Sequence, residues 1–190
     1  MNWIKSAALL IFFSILTLKT VDLLFSFFFI RSDVKDIGTT RNVILKEHNP
    51  GFVDSLVPDD NYLSTTETLE KKSYYFKIDE NGFIDNGNEK SVSNAEILII
   101  FFGGSTTEAI YVPEKKRFTS IVERELSKSL KKNVITLNGG VSGNHSFHSL
   151  VNFIAKGLQL KPDFVVLMNT MNDLGTLRLT GSYFDAPITR

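Results

Sequence analysis

The most apolar part of the chain is its N-terminal end. Residues 6–30 read SAALLIFFSILTLKTVDLLFSFFFI, interrupted by charge only at Lys19 and Asp22. A helix of this length, at about 1.5 Å per residue, can cross a hydrocarbon core about 30 Å thick. Lys19 and Asp22 are three positions apart, so they can pair on one helical face, which lowers the cost of charge at depth. The pattern predicts a transmembrane signal anchor over residues 1–31.

Two other interpretations of this segment stay open. A cleaved signal peptide would use residues 6–18 as its apolar part, but the LKTVD that follows lacks a small-x-small cleavage pattern. A helix of a soluble protein would have to hide the LLFSFFFI at 23–30 from water. Basic residues lie on both sides of the run, at Lys5, Arg31 and Lys35, so the positive-inside rule sets no orientation.

Residues 32–95 are polar and irregular by comparison. Turn signals occur at Asn49-Pro50, Pro58-Asp59-Asp60 and Asn81-Gly82. The run SYYFKI at 73–78 has the composition of a strand, and DENGF after it has that of a tight turn, so we predict a hairpin near 73–84. The whole region is predicted to be a linker with a small β addition.

From residue 96 onward the pattern becomes regular and predicts one domain over residues 96–190. Short apolar runs predict buried strands at 97–102, 134–137 and 164–168. An apolar stripe predicts a helix over 118–131, and a second stripe runs from Phe147 to Leu158. Strands that alternate with helices are typical of a parallel α/β sheet.

Composition narrows the classes of partner. The 190 residues include 21 basic and 21 acidic ones, scattered along the chain, which gives no electrostatic reason to expect nucleic acid. The absence of cysteine excludes disulfides and thiolate metal sites. Six of the 16 phenylalanines lie in the first 30 residues, so the predicted anchor explains much of their excess. No metal or cofactor is predicted.

A polar loop follows each predicted strand: GGSTTE at 103–108, NGGVSGNHS at 138–146 and NTMNDLG at 169–175. Ligands of parallel α/β sheets bind at the C-terminal ends of the strands, so we expect these loops to form one site. Ser105 follows a buried strand and two glycines, as a nucleophile at a sheet edge does; a simple turn with an N-capping hydroxyl also fits this loop alone. Neither a P-loop nor a G-x-G-x-x-G pattern is present, which disfavours a soluble nucleotide-binding protein.

Taken together, the three loops resemble the conserved blocks of the SGNH/GDSL hydrolases. LIIFFGGSTTEA at 98–109 is similar to the first block in its GGSTTEG variant, and NGGVSGNHS at 138–146 is similar to the second, N-x-G-x-x-G-x-x-S. TMND at 170–173 resembles the third, G-x-N-D, except that Thr170 stands where the family has glycine. The resemblance covers about residues 96–175 and implies a three-layer, parallel-sheet SGNH or flavodoxin-like fold.

The resemblance also implies a role for individual residues. Ser105 would be the nucleophile of a serine esterase. The oxyanion hole would be formed by the backbone N–H groups of Ser105 and Gly143 and by the side-chain amide of Asn172. The residues expected to line the pocket are Gly104, Thr106, Asn144, His145 and Thr170.

One part of the family pattern is missing from this sequence. The family takes its base and orienting acid from a late Asp-x-x-His motif, and none of His48, His145 and His148 follows an aspartate by three residues. We therefore expect an N-terminal fragment with an incomplete fold and little hydrolase activity. His145 or His148 as a substitute base, or as half of a metal site, are alternatives that the pattern does not favour.

These features lead to a functional expectation. By analogy with the family, the chain would be a single-pass membrane protein whose catalytic domain lies outside the cytoplasm and acts on O-acyl esters of a small-molecule, glycan or lipid substrate. An O-acyltransferase is an alternative, because transfer and hydrolysis share the acyl-enzyme step. A catalytically silent SGNH-like module for binding or assembly at the membrane is another.

Overall fold

The computed structural model describes residues 2–29, 46–87 and 91–183. Within the first helix, side chains are described at positions 6, 7 and 9–25. The part of the predicted linker before residue 46 therefore lies outside the described residues. The chain divides into two compact units: Met1–Asn42 with Gly175–Arg190, and Val43–Leu174.

The first unit contains helix α1, Asn2–Phe29, so the predicted helix is confirmed. Its large apolar side chains between Leu9 and Phe25 are between 49% and 72% exposed. Five of them occupy the consecutive positions 9–13, and consecutive residues point to different sides of a helix. The apolar surface therefore surrounds the helix. Among the described residues, none of the helices combines the length and the apolarity that crossing a membrane requires.

The second unit is built on a parallel sheet of three strands: β3, Ile97–Gly103, β4, Val134–Gly140, and β5, Phe164–Met168. The strand order is β4-β3-β5, so β3 lies in the centre. In register, Gly103 of β3 lies beside Gly140 of β4 and Met168 of β5. The three strands therefore end at the same edge, and the predicted parallel α/β sheet is confirmed.

Helices cover both faces of this sheet. Helix α4, Phe118–Leu130, connects β3 to β4 and packs on the face that includes Ile99 and Phe101. The second crossover begins with α5, Ser146–Asn152, and continues as a π-helical turn, Phe153–Gly157, and a 3₁₀ turn, Leu158–Leu160. This crossover packs through Phe153 and Leu160 on the opposite face, so the unit has three layers.

The parallel sheet has one apolar core on each face, and the alternation of side chains along β3 explains both. Alternate side chains of a strand point to opposite faces, so β3 contributes apolar residues to both. One core contains Leu98, Ile100, Phe102, Phe83, Ile135 and Leu137; the other contains Ile99, Phe101 and Val134. Because β3 is buried on both faces, its sequence is a continuous apolar run.

A small antiparallel sheet precedes the parallel one. Strand β1, Val53–Leu56, pairs with β2, Tyr74–Lys77, and the short helix α2, Asp60–Ser64, lies between them. The predicted hairpin turn is present, since Ile78 bridges to Ile84 and Gly82 has a φ of +78°. Ile84 also bridges to Asn138 of β4. The β addition thus lies against the strand that leads into the second loop.

The other edge of the sheet is open in the described residues. Strand β5 pairs with β3 alone, and Phe164 and Leu167 are 60% and 52% exposed. Strand β4, by comparison, is buried at every residue.

Candidate active site

The first loop presents Ser105 at the end of the central strand. Ser105 and Thr106 are exposed at the start of α3, Ser105–Glu108, a single helical turn. The turn closes because the N–H groups of Thr107 and Glu108 both donate to the Gly104 carbonyl, at 3.0 Å. It ends at once because Ala109 adopts the left-handed conformation, with a φ of 49°.

Close approach of the third loop requires glycine at position 104. A Cβ built on Gly104 would lie 2.0 Å from Nδ2 of Asn172, a residue of helix α6, Thr170–Thr180. The Gly104 N–H also donates to the carbonyl of Met168, at the end of β5, over 3.4 Å. The amide of Asn172 is therefore in contact with the residue that precedes Ser105.

The second loop contacts the first through both backbone and side-chain atoms. Asn138 Nδ2 donates to the Thr107 carbonyl at 2.8 Å, and its Oδ1 accepts from the Gly140 N–H at 3.0 Å. A Cβ on Gly140 would lie 2.3 Å from the backbone nitrogen of Glu108. Asparagine and glycine in the second block are thus explained by the way β4 packs against α3.

The second and third loops meet at the carbonyl of Asn144. Asn172 Nδ2 donates to this oxygen at 2.7 Å, and Asn169 Nδ2 donates to it at 2.9 Å. Asn144 follows Gly143, whose φ of +78° favours glycine. The three predicted segments therefore meet, with Asn172 in contact with both of the others. Two of them are not loops throughout, since residues 138–140 end β4 and residues 170–175 begin α6.

A side-chain amide carries two N–H bonds, so Asn172 can bond to Asn144 and still donate to another oxygen. The predicted site residues differ in their access to solvent. Ser105, Thr106, Gly143 and Thr170 are exposed, Asn172 is half-buried, and Gly104, Asn144 and His145 are buried. Ser105, the predicted nucleophile, and Gly143, the predicted donor, thus belong to the open part of the site, whereas Asn144 and His145 belong to its support.

Both His145, in the second loop, and His148, in α5, are buried. His145 is 2% exposed, and its ring stacks on that of His148 with the centroids 3.9 Å apart. Burial, aided by the neighbouring His148, lowers the pKa of His145 from 6.5 to about 4, so this imidazole is neutral at pH 7. Among the described residues, no group of three or more His, Asp or Glu side chains is arranged to hold a metal ion.

Asp173 joins the third loop to the start of α5. Its carboxylate accepts from the Ser146 N–H and from the Ser146 hydroxyl, both at 2.8 Å. A carboxylate that accepts two such bonds at a helix N-terminus caps it. Asn169 also joins the third loop to α5, because its Oδ1 accepts from Ser149 Oγ at 2.9 Å.

The sequence reasoning missed several residues that support the site. His48 Nε2 lies 3.1 Å from Oε1 of the buried Glu108, and Ser142 Oγ donates to the other oxygen of this carboxylate. The carbonyl of Lys46 accepts from Asn144 Nδ2, 98 positions away, at 3.2 Å. Residues 46–48 belong to the region predicted to be a linker, and no local pattern connects them with the loops.

The fold and the geometry define an α/β protein with an exposed serine at the C-terminal edge of a parallel sheet, next to a glycine that contacts the side-chain amide of Asn172. Comparison with known proteins finds no matching family model, no matching curated protein and no matching solved structure. The resemblance to the SGNH/GDSL hydrolases therefore depends on the three loops alone.

Proposed function

We propose that this chain carries the nucleophile and oxyanion hole of an SGNH-type serine esterase that acts on O-acyl esters of a carbohydrate or lipid. The observation that supports this most is the position of Asn172, whose amide contacts Gly104 beside Ser105 and bonds to Asn144 beside Gly143. Acyl transfer needs a nucleophilic oxygen next to donors aimed at a developing oxyanion. The three loops provide these groups from three strand ends.

In the proposed reaction, Ser105 Oγ attacks the acyl carbon of the ester and its proton passes through a base to the departing alcohol. The carbonyl oxygen becomes an oxyanion that accepts from the N–H groups of Ser105 and Gly143 and from Asn172 Nδ2. Water then attacks the acyl-serine, which releases the carboxylic acid and restores the hydroxyl. An alcohol in place of water would give an acyltransferase. We assign the base to no residue of this sequence, which lacks Asp-x-x-His.

The test is covalent labelling of the full-length protein by a fluorophosphonate probe. The proposal expects labelling at Ser105 that is lost in Ser105→Ala and kept in Ser55→Ala, a change at an exposed serine of β1. Asn172→Ala should lower the labelling rate about 10²- to 10³-fold, as removal of one oxyanion donor does. Labelling that persists in Ser105→Ala would contradict the assignment.

A silent binding or assembly module is the second candidate. It is favoured by the burial of His145 and His148, the two histidines nearest the loops in sequence, together with the missing Asp-x-x-His. This candidate expects no labelling of Ser105 and no release of acyl groups. It expects retention of the protein on immobilised glycan, weakened by substitution of the exposed Thr106 or Thr170.

We further propose that α1 attaches the protein to a lipid bilayer, with the second unit on the extracytoplasmic side. The apolar surface on all sides of α1 supports attachment, because exposure of so many large apolar side chains to water is unfavourable. The chain has no cysteine, so a single Ser55→Cys variant can report sidedness. We expect a membrane-impermeant maleimide to label this cysteine in intact cells. Labelling only after lysis would indicate the opposite orientation. A protein that washes off membranes would refute the anchor.

A further inference from the structure

The most enclosed carboxylate near the site is that of Glu108. This residue is 3% exposed, and each of its two carboxylate oxygens has a partner. Ser142 Oγ donates to Oε2, and His48 Nε2 lies 3.1 Å from Oε1. A carboxylate is expensive to bury unless hydrogen bonds or an opposite charge compensate it. The hydrogen bond from Ser142 and the contact with His48 therefore offset part of the cost of burying this carboxylate.

The carboxylate links the two loops that carry the proposed nucleophile and the proposed backbone donor. Glu108 ends the helical turn that begins with Ser105. Its partner Ser142 comes directly before Gly143. The backbone of Glu108 is itself fixed, because it lies against Gly140 at the end of β4 with no room for a Cβ between them.

His48 brings a third segment to the same carboxylate. Its ring packs edge-on against Phe76 of β2, with centroids 5.3 Å apart, which fixes the direction of the imidazole. Two residues earlier, the Lys46 carbonyl accepts from Asn144 and Asn152. Residues 46–48 thus contact the first loop at Glu108, the second loop at Asn144 and α5 at Asn152.

We propose that Glu108 is a positioning residue, which sets the place of the Gly143 N–H relative to Ser105 through its hydrogen bond with Ser142 and its contact with His48. The inference rests on the proposed function, because it names what holds that site in shape. Hydrogen bonds to a charged acceptor are stronger than neutral ones, so one carboxylate can keep an exposed glycine loop in a single conformation.

The first measurement is amide hydrogen exchange on the full-length protein, which does not depend on activity. Two amides report on the loop: the Val141 N–H donates to Gly103 and the Asn144 N–H donates to Val141, each at 3.0 Å. We expect both to exchange about 10- to 100-fold faster in Glu108→Ala, the range for loss of a hydrogen bond to a charged group. Ser142→Ala should have a similar effect and Glu108→Gln a smaller one.

The matched control is Glu125→Gln on α4, where an exposed glutamate pairs with its neighbour Arg124. The second measurement is the kinetics of fluorophosphonate labelling. If Glu108 is a positioning residue, Glu108→Ala lowers the maximal labelling rate about tenfold or more. The probe concentration that gives half of the maximal rate then changes less than about threefold. Glu108→Gln should recover part of the rate. A loss of fold stability alone would reduce the amount of folded protein, but it would not lower the maximal labelling rate of the molecules that remain folded.

Each outcome decides the proposal. Faster exchange with a lower maximal rate supports it. Unchanged exchange overturns it, and faster exchange with an unchanged maximal rate overturns the positioning role. If Ser105 of the wild type is not labelled, the proposed function fails, and exchange alone decides whether Glu108 holds the loop. If Glu108→Ala does not fold, the same two measurements on Ser142→Ala and Glu108→Gln decide the proposal.

Discussion

Substitution of Gly104 by alanine tests the contact on which the proposed site depends. The new methyl carbon would lie 2.0 Å from Asn172 Nδ2 and 3.5 Å from the Asn144 carbonyl oxygen. Position 104 has a φ of −90°, which alanine also adopts, so the cost arises from the contact and not from the backbone. Asn172 must therefore turn away and lose its 2.7 Å hydrogen bond to Asn144.

The magnitude follows from these two effects. Insertion of a methyl group into a packed position costs about 1–3 kcal/mol, and a lost hydrogen bond costs about 0.5–1.5 kcal/mol. We expect Gly104→Ala to lower the free energy of unfolding by about 2–4 kcal/mol. The labelling rate of Ser105 should fall about 10²- to 10³-fold, because one oxyanion donor has moved.

A double-mutant cycle separates this contact from a general loss of stability. In Gly104→Ala with Asn172→Ala, the methyl group enters space that the amide has left. The two changes should therefore cost about 1–2 kcal/mol less together than the sum of their separate costs. Urea unfolding followed by circular dichroism measures all four proteins. Additive costs, or a Gly104→Ala variant as stable as the wild type, would refute the contact.

Three other predictions follow from glycine contacts and from histidine burial. Gly140→Ala should lower the free energy of unfolding by more than about 3 kcal/mol or prevent folding, because its Cβ would meet the backbone of Glu108, at 2.3 Å from the nitrogen, and backbone cannot turn aside; expression and urea unfolding check this. Gly175→Ala, within α6 and with nothing within 4 Å of the new Cβ, should instead raise stability by about 0.5–1 kcal/mol, and a loss would contradict the helical geometry. The folded pKa of His145, about 4, lies below its ordinary value of 6.5, so the unfolded chain binds more protons between these values. Its contribution to stability is complete above pH 6.5 and declines as pH falls towards 4, by about 1 kcal/mol per unit; urea unfolding of His145→Gln should show a correspondingly flatter pH dependence, and an equal slope in both proteins would refute it.

The proposed enzyme and the proposed silent module share every contact described for the three loops. They differ in whether Ser105 reacts. A fluorophosphonate probe distinguishes them directly, since the proposed enzyme is labelled at Ser105 and the silent module is not. Stability changes from Gly104→Ala and Gly140→Ala are expected under both, because they depend on packing and not on chemistry.

Local pattern was sufficient for the order and type of the elements from β3 onward. The apolar runs of the three strands and the stripe of α4 are properties of neighbouring residues, so periodicity finds them. The helix after β4 was less predictable: it ends as α5 at Asn152 and continues as π and 3₁₀ turns. Its apolar stripe remained continuous, and the change in hydrogen bonding left no mark on that pattern.

By itself, the sequence determined the α/β class and the strand-end position of Ser105, Gly143 and Asn172, because burial on both faces of a parallel sheet imposes a readable apolar pattern. Only the tertiary structure decided that Asn172 lies against Gly104 and that His48 and Ser142 share the carboxylate of Glu108. Such contacts join segments far apart in the chain, and the composition of a polar loop does not specify its partners. Packing selects them once the sheet has brought the strand ends together.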